Sequence, residues 1–235
     1  MEAELPAIST AFQPILDLDA REVFAYEALV RGAEGQSAGW VFSQVTDAQL
    51  HALDQRAREK ALHLAVRLGI ESHLSLNYLP RSLHRGDGGE LPTVMAARLA
   101  GFPMDRVLVE VTETEAVGDL ASMAAHLHEL RKLGARVAID DFGSGHSGLN
   151  LLADFQPEVV KLDMMLIRDI DVSGPRQAIV RAVASMCLDL GIDLIAEGVE
   201  STAELRFCRD QGIRLFQGYL LAKPAFEALP PLVWF

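Results

Sequence analysis

The sequence predicts an α/β protein built as a TIM-like (β/α)8 barrel whose first strand is antiparallel to the others. Between His73 and Lys223, six short aliphatic runs alternate with amphipathic segments, as in repeated strand–helix units. Before them, residues 11–31 hold two extended runs joined by the polar turn DARE, which leaves no room for a crossover helix and therefore predicts a hairpin. Two hairpin strands and six later strands make eight, the number that closes a small barrel.

The individual elements follow from local patterns. The six later strands are predicted, in chain order, at HLSLNYL, RVLVEVTE, RVAIDDF, VVKLDM, DLIAEGVE and LFQGYLL. Apolar residues spaced by three or four positions predict helices, each with a glycine that can cap its carboxyl end, at residues 50–68, 120–130 and 180–190. The segment 80–92, PRSLHRGDGGELP, predicts a surface loop after the third strand.

Length and composition favour one domain. A chain of 235 residues that is 50% hydrophobic can form a single barrel with a sizeable core, and no linker or low-complexity tract divides it. We therefore expect residues 1–235 to form a single domain. The two cysteines, Cys187 and Cys208, fall at core-like helical positions with no close spacing, which predicts buried free thiols rather than a disulfide or a zinc site.

The charge and the chain ends limit the class of partner. A net charge of −12 without a basic stripe argues against a DNA-binding protein. The start MEAELPAIST lacks the basic and apolar regions of a secretory signal, and no stretch is long enough to span a membrane. We therefore expect a cytoplasmic protein with no membrane partner, in which an anionic ligand would need a local cation or a metal.

Polar residues recur at the ends of the predicted strands. The carboxyl ends of barrel strands converge on one mouth, where chemistry occurs in this architecture. The polar residues at these ends are Glu27, Asn77, Glu110, Asp140 with Asp141, Lys161, Glu197 and Gln217. Taken singly, such residues commonly serve as helix caps, turn formers or ion-pair partners. Taken together, five carboxylates and one lysine would repel one another unless cations lay among them.

The donor set predicts which cation. Carboxylate and amide oxygens suit Mg²⁺ or Mn²⁺. Adjacent residues on a regular strand face opposite ways, so the backbone must turn near Asp140 and Asp141 for both side chains to reach the mouth, and residues 142–145 (FGSG) fit such a turn. His126 and His128 do not share a helix face, which argues against zinc.

Seven motifs in chain order resemble those of the EAL-domain family, whose members are cyclic di-GMP phosphodiesterases. They are EALVR at 27–31, LNYLP at 76–80, EVTE at 110–113, DDFGSG at 140–145, VKLD at 160–163, AEGVE at 196–200 and QGYLLAKP at 217–224. The resemblance extends from about Phe12 to Pro224. It implies a bacterial second-messenger enzyme that opens one phosphodiester bond of cyclic di-GMP to give linear pGpG, with two Mg²⁺ or Mn²⁺ ions per site.

The same resemblance implies a role for each matching residue. Glu27, Asn77, Glu110 and Asp140 resemble the ligands of a first metal, and Asp141 resembles a ligand of a second, with Asp140 shared. Lys161 is similar to a lysine that positions or polarises the attacking water, and Glu197 to a glutamate that contacts metal or water. The expected catalytic residues are Glu27, Lys161 and Glu197. Substrate contacts are expected from Gln13 (a guanine), Arg31 (a phosphate) and Gln217, and Glu113 resembles the anchor of the loop after the fifth strand.

Three departures from the family pattern stand out. The asparagine motif reads NYLP at 77–80, where the family often has a small polar residue before proline, which bears on loop shape and not on the ligand. Glu115 adds an acid near Glu113, and His146 occupies a position where tyrosine is frequent. In relatives the loop that holds His146 couples metal binding to dimerisation, so this residue bears on regulation.

Two other functions remain open. The chain could be a catalytically silent cyclic di-GMP-binding signalling module, or Lys161 could form a Schiff base in an aldolase-like barrel. The resemblance also implies a homodimer, and a separate sensor protein is a possible partner.

Overall fold

Eight strands close into a barrel in the computed structural model, which describes residues 5–79, 91–112, 120–145, 149, 152–153 and 155–235. The strands are β1 (Ile8–Asp17), β2 (Glu22–Gly32), β3 (His73–Asn77), β4 (Val107–Thr112), β5 (Arg136–Phe142), β6 (Val159–Leu162), β7 (Asp193–Ala196) and β8 (Leu215–Phe216). Strands β2 to β8 are parallel neighbours in chain order, and β1 pairs antiparallel with both β2 and β8. The predicted barrel, with its first strand antiparallel, is confirmed.

Helices cover the outside of the barrel. They are α1 (Ala38–Ser43), α2 (Leu50–Arg67), α3 (Pro92–Ala100), α4 (Leu120–Lys132), α5 (Met164–Ile167), α6 (Gly174–Leu190) and α7 (Thr202–Asp210). The three helices predicted from spacing correspond to α2, α4 and α6, and α6 ends at Gly191 in the left-handed conformation that its predicted cap requires. A short strand β9 (Ala225–Phe226) pairs with β1. Most of the predicted loop 80–92 lies outside the described residues.

Side-chain alternation divides the barrel interior into two levels. The lower level is an apolar cluster of Ile15, Ala25, Leu108, Ala138, Val159, Ile195 and Leu215. Two positions further along the parallel strands, the side chains again point inward but lie nearer the carboxyl ends. These residues are Glu27, Glu110, Asp140, Lys161, Glu197 and Gln217; on the antiparallel β1, Gln13 precedes Ile15 by the same two positions. The fold therefore stacks a polar level on an apolar one.

Strand lengths differ from the sequence prediction at two places. Glu27 does not end its strand, because the ladder between β1 and β2 continues to the pair Ile8–Gly32. The predicted eighth strand LFQGYLL pairs with the sheet only at Leu215 and Phe216, so Gln217 follows β8 directly. In the parts of the chain that are described, Cys187 and Cys208 are buried free thiols, and no helix is long and apolar enough to cross a membrane.

Candidate active site

A buried lysine lies at the centre of the polar level. Lys161, 1% exposed on β6, directs its Nζ to 2.8 Å from Oε1 of both Glu110 and Glu197. The same atom lies 3.1 Å from Oδ1 of Asp140 and 3.5 Å from Oε2 of Glu27. Carboxylates from β2, β4, β5 and the residue after β7 thus converge on one ammonium group at the barrel mouth.

The cluster shifts the pKa of its members in opposite directions. Burial would lower the pKa of Lys161, but the four carboxylates raise it well above its usual value. Burial raises the pKa of Glu110 to about 8, because Lys161 offsets only part of that cost. Burial, with the negative charge of Asp140, also raises the pKa of Glu197 well above its ordinary value in spite of Lys161. The negative charge of the clustered carboxylates therefore exceeds the single ammonium beside them, and a further cation would be favourable there.

The surrounding protein favours the ionised form of Glu27. Burial would raise its pKa, but Lys161, Gln217 and Asn77 outweigh that effect and lower it. The Nδ2 of Asn77 donates to Glu27 Oε1 at 3.2 Å, and the Nε2 of Gln217 donates to Glu27 Oε2 at 2.8 Å. Among the described residues, Gln217 Oε1 and Glu110 Oε2 are buried without a hydrogen-bond partner. Buried oxygens of this kind need a ligand or water to satisfy them.

The backbone at Asp141 turns as the two adjacent acids require. Asp141 has a φ of +53°, in the left-handed region, and the β5–β6 register shifts between Ile139 and Phe142. This irregularity lets Asp140 and Asp141 both reach the mouth, with the N–H of Asp141 donating to Asp140 Oδ1 at 3.0 Å. Although Asp141 is exposed to solvent, partial desolvation by the surrounding groups, and then the charges of Asp140 and Asp163, raise its pKa to about 6.

These carboxylates form two candidate cation sites. One carboxylate oxygen each from Glu27, Glu110 and Asp140 lie within 4.8 Å of one another, and so do oxygens from Asp140, Asp141 and Glu197. Hard oxygen donors, excess negative charge and the unsatisfied Glu110 oxygen fit Mg²⁺ or Mn²⁺. Asp140 belongs to both groups, so two ions could share it.

Two cavities adjoin the carboxylates. Glu27, Asn77 and Arg31 line a largely apolar cavity of about 270 Å³ beside α2. Gln13, with Asp141, Glu197 and Gln217, lines a second cavity of about 290 Å³. Gln13 is fixed there because its Nε2 donates to the carbonyl of Ala222 at 3.2 Å. The predicted loop anchor Glu113 and the residues Glu115 and His146 lie outside the described residues.

Sequence reasoning missed residues that support the site. Asp163 caps α5 by accepting from the N–H of Met165 at 2.7 Å, beside Asp141. Gly218 packs so closely on the segment after β7 that a Cβ there would overlap the backbone N and O of Val199. Both residues could have been found from their positions in the motifs. Asp163 stands two residues after Lys161 in VKLD, and Gly218 follows Gln217 directly.

Comparisons with known proteins agree with this geometry. A sequence model of the EAL domain matches residues 3–224. The blue light- and temperature-regulated antirepressor BluF of Escherichia coli K12 is 32% identical over 225 residues, which cover 95% of this chain and 56% of that protein. The cyclic di-GMP phosphodiesterase PdeR of the same organism is 40% identical over 123 residues, covering 51% of this chain and 19% of PdeR. The matched part of the chain thus spans about half of the length of BluF and about a fifth of the length of PdeR.

Solved structures extend the comparison. A standalone versatile EAL protein from Vibrio cholerae O395, in its c-di-GMP bound form, superposes with a TM-score of 0.92 at 43% identity and covers 98% of both chains. The manganese/cy-diGMP complex of Klebsiella pneumoniae BlrP1 superposes with a TM-score of 0.91 at 36% identity and covers 100% of this chain and 59% of that one. Because it forms this barrel, carries the seven motifs in chain order and matches the EAL domain model over residues 3–224, the chain belongs to the EAL domain family.

Proposed function

We propose that this chain hydrolyses one phosphodiester bond of cyclic di-GMP to give linear pGpG, with Mg²⁺ or Mn²⁺ as cofactor. The observation that carries the proposal is the convergence of four carboxylates on Lys161, with two oxygen clusters that share Asp140. Relatives named cyclic di-GMP phosphodiesterases, and a similar structure in a manganese/cy-diGMP complex, support it.

The residues divide between two ions. Glu27, Asn77, Glu110 and Asp140 would hold the first, and Asp141 would hold the second together with Asp140. When bound, such ions offset the charge of the phosphate oxygens and lower the pKa of water. An acidic mouth can then accept an anionic dinucleotide.

The protein's own groups would supply orientation and proton handling. Lys161 is held as an ammonium by Glu110 and Glu197, each 2.8 Å from its Nζ, and would donate a hydrogen bond to the attacking water in place of its 3.5 Å contact with Glu27. Glu197, whose Oε1 lies 2.8 Å from Nζ of Lys161, would accept the proton that this water releases. Gln217 keeps Glu27 in place through its 2.8 Å hydrogen bond.

The substrate contacts would lie at the rim. Arg31 lines the cavity beside Glu27 and offers a fixed positive charge for a phosphate. Gln13 lines the opposite cavity and would approach a guanine. The role of Glu113 as a loop anchor stays a prediction.

The direct test is product analysis. Purified protein is incubated with cyclic di-GMP in Mg²⁺, in Mn²⁺ and in EDTA, and the products are separated by chromatography and identified by mass. We expect pGpG with either metal and none in EDTA, and Glu27→Ala should abolish turnover. Glu34→Ala removes an exposed carboxylate after β2 and serves as the control. Absence of pGpG from the wild-type protein in every metal would refute the proposal.

A second function has one observation in its favour. BluF, which matches 95% of this chain, is named an antirepressor rather than an enzyme. A silent module would bind cyclic di-GMP without turnover, and calorimetric titration beside the product assay separates the two functions. The predicted homodimer and separate sensor protein are open to size-exclusion chromatography and to pull-down.

The aldolase-like alternative has little support from the site. A Schiff-base lysine must lose its proton to attack a carbonyl. Four carboxylates raise the pKa of Lys161 instead of lowering it, and its side chain is 1% exposed.

A further inference from the structure

Tyr78, which follows Asn77 in the LNYLP motif, has no role in the chemistry proposed above. Asn77 is exposed at the mouth, where its Nδ2 bonds Glu27. Tyr78 itself is 3% exposed, because strand alternation turns its ring away from the mouth and into the helical layer. Its backbone N–H donates to the carbonyl of Glu110 at 2.9 Å, so the β3–β4 pairing continues one residue beyond Asn77.

A buried polar cluster holds the ring of Tyr78. The guanidinium carbon of Arg58, on α2, lies 3.8 Å from the centroid of the Tyr78 ring. The Nε of Arg58 donates to Thr93 Oγ1 at 3.0 Å, and the Thr93 hydroxyl donates to Tyr78 OH at 3.2 Å. Arg58 also pairs with Asp54 one helical turn earlier. All four side chains are less than a tenth exposed.

The cluster acts through geometry rather than through charge. Asp54 neutralises Arg58 inside the helical layer, so the pair adds little net charge to the mouth. The flat guanidinium fixes the plane of the Tyr78 ring by stacking and fixes its hydroxyl through Thr93. Tyr78 is thus anchored at its ring by α2 and α3 and at its N–H by β4, and Asn77 is the residue next to these two anchors.

The geometry points to Tyr78 and Arg58 as positioning residues of the first metal site: together they hold Asn77 in the orientation in which its amide can bind the ion. This inference rests on the proposed function for the metal site but does not need hydrolysis itself. Partners that orient a metal ligand typically contribute about 10- to 100-fold in metal affinity.

The experiment measures Mn²⁺ binding without nucleotide, by the electron paramagnetic resonance signal of the free ion, in four proteins. Tyr78→Leu removes the ring and Tyr78→Phe removes only the hydroxyl. Phe102→Leu is the matched control, because Phe102 is a 4% exposed aromatic residue near the opposite end of β4. We expect Tyr78→Leu to weaken Mn²⁺ binding about tenfold, and Tyr78→Phe and Phe102→Leu to change it by less than about twofold.

A further variant tests the guanidinium. Arg58→Lys keeps the charge beside Asp54 but loses the flat stacking surface and the Nε donor, so it should weaken Mn²⁺ binding in the same direction as Tyr78→Leu. In hydrolysis assays, both variants should need more Mn²⁺ for half-maximal rate and recover the wild-type kcat at saturation.

The outcomes are separable. Wild-type Mn²⁺ affinity in a folded Tyr78→Leu protein, or an equal loss in Phe102→Leu, would overturn the inference. Mn²⁺ binding by the wild-type protein without formation of pGpG would overturn the proposed function and leave the positioning role in place. Failure of the wild-type protein to bind Mn²⁺ would overturn both.

Discussion

Nζ of Lys161, on β6, lies 2.8 Å from Oε1 of Glu197, the residue that follows the neighbouring strand β7. The lysine side chain is 1% exposed and that of the glutamate 15%, so bulk water solvates neither group fully. An unpaired charge in such surroundings is costly. Lys161 therefore contributes to the stability of the metal-free protein, because its ammonium offsets part of the charge of the clustered carboxylates, as well as to the proposed chemistry.

Replacing the lysine should separate these two contributions. Lys161→Met leaves four carboxylates without their shared ammonium, so we expect the metal-free protein to lose about 3 kcal/mol or more of unfolding free energy. Added Mg²⁺ should stabilise the variant more than the wild-type protein, because ions replace the missing positive charge. Turnover should still fall by about 100-fold or more. Urea unfolding with EDTA and with Mg²⁺, beside the pGpG assay, measures all three effects.

The control for this substitution is Lys132→Met. Lys132 pairs with Glu129 on the surface of α4, where both side chains are over 40% exposed, and such pairs contribute little. A loss of stability in Lys132→Met as large as in Lys161→Met would contradict the assignment of the effect to the buried cluster.

Asp141 should show a conflict between stability and function. Its φ of +53° suits glycine, and its carboxylate is repelled by Asp140 and Asp163. Asp141→Gly should therefore preserve or slightly raise the stability of the metal-free protein, with a gain below about 1 kcal/mol because solvent screens this exposed group. The rate of hydrolysis should fall by more than about 100-fold, because loss of a direct metal ligand should cost more than loss of a residue that only contacts a ligand. Thermal unfolding in EDTA and the product assay check both effects.

Asp169 provides the matched control, since it is an exposed aspartate with a φ of +55°. Asp169→Gly makes the same backbone change away from the clustered carboxylates, so turnover should persist. If the control gained as much metal-free stability as Asp141→Gly, backbone conformation alone would explain the effect and carboxylate repulsion would not.

The sequence predicted the barrel and much of the candidate site because both depend on local patterns. Residues two positions apart on a strand point to the same side, as Leu108 and Glu110 or Val159 and Lys161 do. This spacing places a carboxylate or a lysine one level above the apolar layer. Strand order then brings those levels to one mouth. The need for a backbone turn at Asp141 followed from adjacency alone, and the structure meets it with a left-handed residue.

Contacts that depend on closure of the fold could not be predicted in the same way. The approach of Arg58 to Tyr78 depends on how α2 packs over β3, and sequence spacing does not encode that rotation. The early end of β8 has a similar cause. The run LFQGYLL has strand composition throughout, but Gly218 must pack against Val199, so the chain leaves the sheet after Phe216.

Gly218 should be sensitive to a single methyl group. A Cβ at this position would overlap the Val199 backbone, which also accepts the N–H of Leu220 at 3.1 Å and donates to the Gln217 carbonyl at 3.1 Å. Gly218→Ala should therefore separate the segments that hold Glu197 and Gln217, with a loss of about 1–3 kcal/mol in stability and a fall in kcat. Urea unfolding and kinetics measure these losses.

Gly174→Ala is the corresponding control. Gly174 begins α6, and a Cβ there would meet no atom within 4 Å. Its stability and kcat should match those of the wild-type protein. Unchanged kcat in Gly218→Ala would mean that the two segments are not held by this packing.

The opposite end of the barrel should govern stability in acid. Burial would raise the pKa of Asp193, but hydrogen bonds from Arg214 and Arg136, both at 2.8 Å, lower it below its usual value. A carboxylate whose pKa is lower in the folded than in the unfolded state stabilises the fold above the unfolded pKa, and this contribution disappears as the pH falls through the folded pKa. Asp193→Asn should thus be less stable than the wild-type protein at about pH 7, and the difference should shrink below about pH 4. Urea unfolding in EDTA across this range measures the difference in unfolding free energy between Asp193→Asn and the wild-type protein.

The control is Asp171→Asn, at an exposed aspartate before α6, whose stability should match that of the wild-type protein. If the difference between Asp193→Asn and the wild-type protein stayed constant with pH, the loss would come from packing of the side chain. Loss of a titrating charge must instead follow the protonation of Asp193.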